Sequence, residues 1–188
     1  MKILSIAVPC YNSQDYMEHC VETLLTGGEK VEIIIVDDGS KDGTAEIADR
    51  FAEKYPTIIK AVHQENGGHG EAVNTGIKNA TGVFFKVVDS DDWLGEEALA
   101  TLLEKLEMFS NSGEDAVNVP DLVLCNYIYD KVGVKNKKVI NYKGYLPLNR
   151  TFTWKDVKKM PPGKYMTMHA CVYRTEVLRE SHLVLPKH

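Results

Sequence analysis

The sequence predicts an α/β fold: a doubly wound, mostly parallel sheet with helices on both faces and a small antiparallel ribbon in the C-terminal half. From residue 3 to residue 129, short apolar runs alternate with stretches in which apolar residues recur at helical spacing. This alternation favours parallel strands, because each helix returns the chain to the end of the sheet where the previous strand began. Between residues 131 and 149, basic and apolar residues alternate, which predicts the antiparallel ribbon.

The first two strand–helix units have the clearest patterns. Residues 3–9 are apolar almost throughout, which predicts a strand buried on both faces. The helix that follows has an apolar stripe and ends at a glycine pair; the stripe consists of Met17, Cys20, Val21, Leu24 and Leu25. Residues 31–36 predict the second strand, and its helix ends before a proline and has its own stripe, Ile47, Ala48, Phe51, Ala52 and Tyr55.

The third helix differs from the others because its predicted core face is built of small residues, which would let it approach the sheet closely. That face consists of Ala72, Val73, Gly76, Ile77 and Ala80. The other predicted strands are residues 57–62, 83–88, 122–129 and 166–172. The other predicted helices are a long one with an apolar face between Leu94 and Phe109, and two short ones at 154–160 and 175–181.

Length and composition indicate one globular domain without a nucleic-acid-binding surface. The chain has 188 residues, of which 44% are hydrophobic and 26% charged, and its net charge of −5 argues against a nucleic-acid partner. The cysteines lie far apart, so we expect reduced thiols rather than a zinc site. No apolar run approaches the roughly 20 residues that span a bilayer, and we expect a cytoplasmic protein, free or peripheral at the inner face of the membrane.

Four unusual clusters of residues lie at the carboxyl ends of predicted strands. They are residues 9–12, 37–40, 65–70 and 89–92. In a parallel sheet, ligands bind at the edge formed by the carboxyl ends of the strands. The four clusters together therefore predict one binding site at that edge.

The cluster Asp89-Ser90-Asp91-Asp92 has three carboxylates in four residues, which repel one another unless a cation lies between them. Carboxylate oxygens suit Mg²⁺ or Mn²⁺. Taken alone, the cluster fits equally well a turn that caps a helix beginning near Gly95. The acidic pair Asp37-Asp38 on the same predicted edge favours the other interpretation, a cation that bridges carboxylates and a diphosphate.

Other nucleotide-binding classes lack their signatures. The turn after the first strand is Pro9-Cys10-Tyr11-Asn12, without the glycines of a dinucleotide-binding turn or the basic, glycine-rich loop of a nucleotidyltransferase. No P-loop sequence occurs. A response-regulator-like domain, which also gathers aspartates at strand ends, remains a minor alternative.

The ordered clusters resemble the family 2 glycosyltransferases. The resemblance rests on Ile6–Asn12, Val36–Ser40, Asp42–Thr44, Asn66–Gly68, Ala72–Gly76, Ala80–Gly82 and Asp89–Asp92. It covers the first half of the chain closely and the second half loosely. It implies the GT-A fold and an inverting transfer of sugar from a nucleotide-sugar donor, with UDP expected as the nucleotide. It also implies a glycan or lipid-linked acceptor in polysaccharide or cell-envelope synthesis.

The resemblance also implies a role for each matched residue. The implied nucleotide-binding residues are Pro9, Tyr11, Asn12, Asp37, Asp38, Asn66, Gly67, Gly68, Asp89 and Ser90. The implied ligands of Mn²⁺ or Mg²⁺ are Asp91, Asp89 and Asp92. Asp38 would accept a hydrogen bond from the base, and Asp91 would be the main metal ligand. For Asp37, a local turn with Ser40 is the alternative.

Four further residues have two interpretations each, and a fifth has one. His69 would contact phosphate or lie in solvent, and Asn74 would contact ligand or brace the glycine-rich loop. Lys86 would pair with an acidic neighbour or reach the donor. His169 would face the acceptor or pack on a strand, and Trp93 is expected to pack beneath its loop.

The general base that the resemblance implies is not found in the sequence. It would be an acidic residue beyond His188. We therefore expect residues 1–130 to form the nucleotide-sugar-binding core and residues 131–188 part of the acceptor side of a truncated domain. Such a chain would bind nucleotide and metal and would transfer sugar poorly or not at all; the alternative is a non-catalytic nucleotide-sugar-binding domain. The donor sugar and the oligomeric state stay open.

Overall fold

A computed structural model describes residues 1–111, 119–130, 133, 137–163 and 165–187. The strands are β1 (Leu4–Cys10), β2 (Val31–Asp37), β3 (Ile59–His63), β4 (Phe84–Val87), β5 (Leu122–Leu124), β6 (Tyr127–Tyr129), β7 (Lys138–Ile140) and β8 (Cys171–Arg174). The helices are α1 (Met17–Leu25), α2 (Thr44–Lys54), α3 (His69–Asn79), α4 (Glu96–Ser110) and α5 (Thr175–Glu180). Six strands form the main sheet in the order β3-β2-β1-β4-β8-β5, and β6 and β7 form a separate pair.

The main sheet is mostly parallel, as the sequence predicts. Strands β3, β2, β1 and β4 are parallel to one another, whereas β8 runs antiparallel to both of its neighbours, β4 and β5. The amino end of β8 therefore lies at the same edge as the carboxyl ends of the other strands. This reversal decides which side chains from the C-terminal half reach that edge.

Both faces of the sheet are covered, which confirms the predicted layers. Alternate residues of β1 point to opposite sides: Ile6 and Val8 pack with α1, α2 and α4, whereas Ala7 packs with α3. The small face of α3 does approach the sheet closely. A Cβ built on Gly76 would lie 2.4 Å from the Cβ of Ala7.

The C-terminal half departs from the prediction in three places. The strand predicted at 122–129 is split: Cys125 still donates its amide to Ala170 O, and the chain then leaves the main sheet for the β6–β7 pair. The strand predicted at 166–172 begins only at Cys171, after a 3₁₀ turn at Met168–Ala170. The predicted helix at 154–160 is a single 3₁₀ turn, Trp154–Asp156. Five residues of the predicted ribbon, 131–132 and 134–136, lie outside the described residues.

The sheet draws strands from both sides of residue 130, and the functional division at that position stays a prediction. Among the described residues, no helix combines the length and apolar composition needed to cross a membrane.

Candidate nucleotide and metal site

A cavity of about 310 Å³ opens at the carboxyl edge of the sheet, between the loop after β1 and the glycine-rich loop before α3. It is lined by Pro9, Cys10, Tyr11, Asp38, Asn66, Gly68, His69 and Ala72. The predicted nucleotide-binding residues from three separate loops thus meet around one space. Asn12, Asp37, Gly67, Asp89 and Ser90 do not line it.

Asp38 holds the glycine-rich loop. Its side chain is buried, and its carboxylate accepts hydrogen bonds from Gln64 Nε2 at 2.7 Å, Gly67 N at 2.9 Å and Gly68 N at 2.8 Å. Two backbone amides that point at one carboxylate fix the path of the loop. Gly68 itself adopts a φ of 84°, a left-handed conformation that favours glycine. In this structure Asp38 therefore shapes the cavity wall, and its contact with a base stays a prediction.

Asp37 is also committed to protein partners. Its Oδ1 accepts the Ser40 amide at 3.0 Å, which is the turn interaction considered as an alternative. Its Oδ2 lies 3.1 Å from His63 Nδ1, and His63 Nε2 lies 3.0 Å from Asp49 Oδ1. The hydrogen bonds from His63 to Asp37 and then to Asp49 raise the pKa of His63.

The loop after β1 is tied to two other strand ends. The Asn12 amide donates to Ser40 Oγ at 3.0 Å, and Ser13 Oγ lies 2.9 Å from Ser90 Oγ. The Ser13 amide also donates to Thr44 Oγ1 at 2.7 Å. Asn12 and Ser90 therefore brace the loops in this structure, and their contact with a nucleotide stays a prediction.

The acidic cluster gathers a histidine from the other half of the chain. His169 Nε2 lies 3.5 Å from Asp89 Oδ2 and 3.5 Å from Asp92 Oδ2. One ligand atom from each of Asp89, Asp92 and His169 falls within 4.8 Å of the others. The interpretation of the cluster as a helix cap is wrong, because Gly95 is the N-cap of α4 and no side chain caps it. Two carboxylates and an imidazole form a donor set that could hold a divalent metal ion.

Asp91, predicted as the main metal ligand, lies outside this group of three. Its side chain is exposed and forms no hydrogen bond or ion pair among the described residues. Asp92 is half-buried instead. Burial raises the pKa of Asp92, His169 opposes this, and the nearby carboxylates of Asp89 and Asp91 raise it further.

The chain's similarity to known proteins agrees with this geometry. The profile of Glycosyl transferase family 2 matches residues 5–181. The chain belongs to the family 2 glycosyltransferases. The GlyG glycosyltransferase of Streptococcus pneumoniae is 38% identical over 133 residues, which are 69% of this chain and 41% of GlyG. The poly(ribitol-phosphate) beta-glucosyltransferase of Bacillus spizizenii is 41% identical over 103 residues, 53% of this chain and 16% of that protein.

Solved structures show the same architecture. The structure of S. aureus TarS residues 1–349 in complex with UDP has a TM-score of 0.69 and 25% identity, and the match covers 99% of this chain and 50% of TarS. The mannosyltransferase PcManGT of Pyrobaculum calidifontis, in complex with GDP-Man and Mn²⁺, has a TM-score of 0.53 and 26% identity over 65% of this chain and 34% of that chain. The fold of this family 2 glycosyltransferase is therefore GT-A. The chain spans half or less of the length of each of these proteins.

In this glycosyltransferase, the residues with open interpretations make specific contacts. His69 Nε2 lies 2.9 Å from Asp89 Oδ1, and this hydrogen bond raises the pKa of His69. Lys86 is buried and donates to His169 O at 2.7 Å rather than to a carboxylate. Asn74 braces a different segment than expected, because its amide exchanges two hydrogen bonds with the backbone of Leu185. Trp93 is 44% exposed and forms a T-shaped contact with the His19 ring, so it does not pack beneath its loop.

Two contributors to the site have no clear signal in the sequence. Gln64 anchors Asp38 from the end of β3, and Thr75 Oγ1 in turn donates to Gln64 Oε1 at 2.5 Å. His63 pairs with Asp37 because β3 lies beside β2 in register, with Asp37 opposite His63. The sequence offers one signal for these two residues, which is their position at the carboxyl end of a strand.

Proposed function

We propose that this chain is the donor-binding part of a glycosyltransferase that transfers sugar with inversion from a UDP-sugar to a glycan or lipid-linked acceptor in cell-envelope synthesis. One contact carries the proposal: the bond between His69 and Asp89 joins the cavity wall to the acidic cluster. A nucleotide in the cavity would thus have its diphosphate beside Asp89. The similarity to a poly(ribitol-phosphate) beta-glucosyltransferase supports the acceptor class.

The cavity supplies the nucleotide contacts in this proposal. Pro9 and Tyr11 present apolar and aromatic surface on one side, and Gly68 presents backbone without a side chain on the other. Helix α3 begins at His69, so its amino terminus faces the same region, and helix amino termini favour anions such as phosphate. UDP is our first choice of nucleotide, because TarS binds UDP and its fold matches nearly the whole of this chain.

Asp89, Asp92 and His169 would hold a divalent cation, with Mn²⁺ preferred to Mg²⁺ because imidazole is a poor Mg²⁺ ligand. When bound, such a cation neutralises charge on a leaving diphosphate. Two other groups of the protein would shape the site. His69 holds Asp89 by a hydrogen bond from the cavity side, and Asp38 fixes the glycine-rich loop that forms one wall of the cavity.

A non-catalytic donor-binding domain is the second candidate. Inverting transfer needs a general base to deprotonate the acceptor hydroxyl, and the placement of the carboxylates favours a chain without one. Glu176 and Glu180 lie on α5, which begins at the edge of the sheet opposite the site, where Thr175 N donates to Val83 O. In the acidic cluster, Asp89 and Asp92 belong with His169 to the group proposed to hold the cation, here called the cation group. Among the described residues, only the exposed Asp91 of that cluster lies outside the group. Donor hydrolysis or transfer by the chain would exclude this candidate.

Calorimetric titration with UDP and with GDP, each with and without Mn²⁺, tests the proposal. We expect UDP to bind in the presence of Mn²⁺, and Asp92→Asn to weaken that binding more than Asp91→Asn does. The matched control is Asp121→Asn, since Asp121 pairs with Arg174 at the opposite edge. Absence of UDP binding, or binding that neither Mn²⁺ nor Asp92→Asn alters, would contradict the proposal.

A further inference from the structure

Lys86 is an unusual residue for the middle of a buried strand. It belongs to β4, where its residue is 3% exposed and its neighbours on both sides are apolar. Its Nζ donates to the carbonyl oxygen of His169 at 2.7 Å, and it forms no ion pair with a carboxylate among the described residues. Burying an amino group costs free energy that hydrogen bonds or ion pairs must offset, so the bond to His169 O is important for keeping Lys86 in this place.

The carbonyl that Lys86 holds belongs to the histidine of the cation group. The His169 ring presents Nε2 to Asp89 and Asp92, while its Nδ1 is buried and has no hydrogen-bond partner among the described residues. A histidine that binds a metal is ordinarily oriented by a hydrogen bond from its other ring nitrogen. Among the described residues no hydrogen bond orients Nδ1, and the ring lies tilted beside Tyr127 with centroids 5.7 Å apart.

Lys86 reaches the site through the backbone of His169. His169 lies in a 3₁₀ turn just before β8, whereas Asp89 lies just after β4. The Lys86 side chain crosses from β4 to that turn, three residues before Asp89 in the sequence. It therefore links the two segments that supply the cation group.

We propose that Lys86 is a positioning residue: by holding the His169 carbonyl, it sets the distance of the imidazole from Asp89 and Asp92 and so sets the affinity of the site for a divalent cation. This inference rests on the cation site of the proposed function. Lys86 touches neither donor nor cation, and its effect passes through His169.

The sign of the effect of Lys86→Met separates positioning from simple charge. If Lys86 acted only as a positive charge near the cation, its removal would tighten Mn²⁺ binding, because like charges repel. If it positions His169, its removal weakens Mn²⁺ binding, by about tenfold for a group that orients a metal ligand. Electron paramagnetic resonance of free Mn²⁺, in the presence of UDP, measures the change. The control is Lys60→Met on β3, an exposed lysine whose Nζ donates to Asn79 Oδ1 at the other end of the sheet.

A double-mutant cycle tests whether the effect passes through His169. In a His169→Gln background, we expect Lys86→Met to change Mn²⁺ affinity little, because the two residues act as one unit. Equal effects of Lys86→Met in both backgrounds would overturn the inference, as would unchanged or tighter Mn²⁺ binding in the single variant. The thermal midpoint of each variant shows that the chains compared are folded.

Imidazole ¹⁵N resonances of the metal-free protein give a readout that does not require cation binding. We expect Lys86→Met to shift the His169 signals and to leave those of His19 in place. If the wild-type chain binds no Mn²⁺, the proposed cation site fails, and the inferred control of cation affinity fails with it. Unchanged His169 signals in Lys86→Met overturn the positioning role whether or not Mn²⁺ binds.

Discussion

His69 Nε2 lies 2.9 Å from Asp89 Oδ1, whereas the other carboxylate oxygen of Asp89 faces His169. One aspartate thus stands between a histidine of the glycine-rich loop and a histidine of the C-terminal half. Because His69 holds one oxygen, the other is directed toward Asp92 and His169. The cavity lined by Asp38 and His69 and the group of Asp89, Asp92 and His169 are joined through this carboxylate.

His69→Ala is expected to weaken both Mn²⁺ and UDP binding. Loss of the hydrogen bond lets the Asp89 carboxylate rotate, and removal of a partner that orients a metal ligand costs about 10-fold or more in affinity. Calorimetry with Mn²⁺ alone and then with UDP separates the two effects. His182→Ala is the control, because His182 is exposed and follows α5 at a distance from the site. Equal Mn²⁺ affinity in wild type and His69→Ala would contradict this prediction.

Asp38→Asn is expected to loosen the glycine-rich loop and destabilise the fold by about 1–3 kcal/mol, because a buried hydrogen-bond network loses an acceptor. The amide group of asparagine would bring its own N–H groups toward those of Gly67 or Gly68. Urea unfolding measures the stability, and hydrogen exchange at Gly67 and Gly68 measures the loop. Asp15→Asn, at an exposed position, serves as the control. Unaltered exchange at both glycines would show that Asp38 does not hold the loop.

The contacts of His63 predict a contribution to stability that declines as pH rises. Its pKa is raised in the folded chain by hydrogen bonds to Asp37 and Asp49, so the protonated form is favoured by folding. The contribution is complete below the unfolded pKa, about 6.5, and is lost as pH rises through the higher folded pKa. Because the side chain is 41% exposed, solvent screening limits the effect to less than about 1 kcal/mol.

Urea unfolding of wild type and His63→Gln at several pH values from 5.5 to 8.5, about the range in which histidine titrates, measures this contribution. We expect the stability difference between the two chains to shrink as pH rises. A difference that is constant with pH, or that grows, would contradict the assignment of His63 as the titrating group.

Gly70→Ala is expected to displace Leu185 and Pro186, which pack against the first turn of α3. A Cβ at Gly70 would lie 2.4 Å from Pro186 O and 3.2 Å from Leu185 Cβ, so the segment must move. The Leu185 amide, which donates to Asn74 Oδ1 at 2.9 Å, would then exchange faster, by about tenfold or more if opening costs at least 1.4 kcal/mol less. Gly95→Ala is the matched control, because a Cβ there meets nothing within 4 Å. Slow exchange at Leu185 in Gly70→Ala would contradict the prediction.

The sequence alone was sufficient for the elements that depend on local patterns. The apolar runs of β1 and β2 identify buried strands wherever their neighbours lie, and the helical stripes identify α1, α2 and α4 for the same reason. Parallel pairing followed from the alternation of strands and helices. The carboxyl ends of parallel strands lie at the same edge of a sheet. The pattern alone therefore assigns the clusters at 9–12, 37–40, 65–70 and 89–92 to one edge.

Tertiary structure decided which of these polar groups meet. His169 reaches Asp89 and Asp92 because β8 inserts between β4 and β5 in the reverse direction, which brings its amino end to the site. No local pattern encodes that pairing, since the partners are about 80 residues apart and the long connection could close in many ways. The same is true of Lys86: the sequence marks a lysine in an apolar strand, but only the packing of β8 against β4 shows that it holds His169.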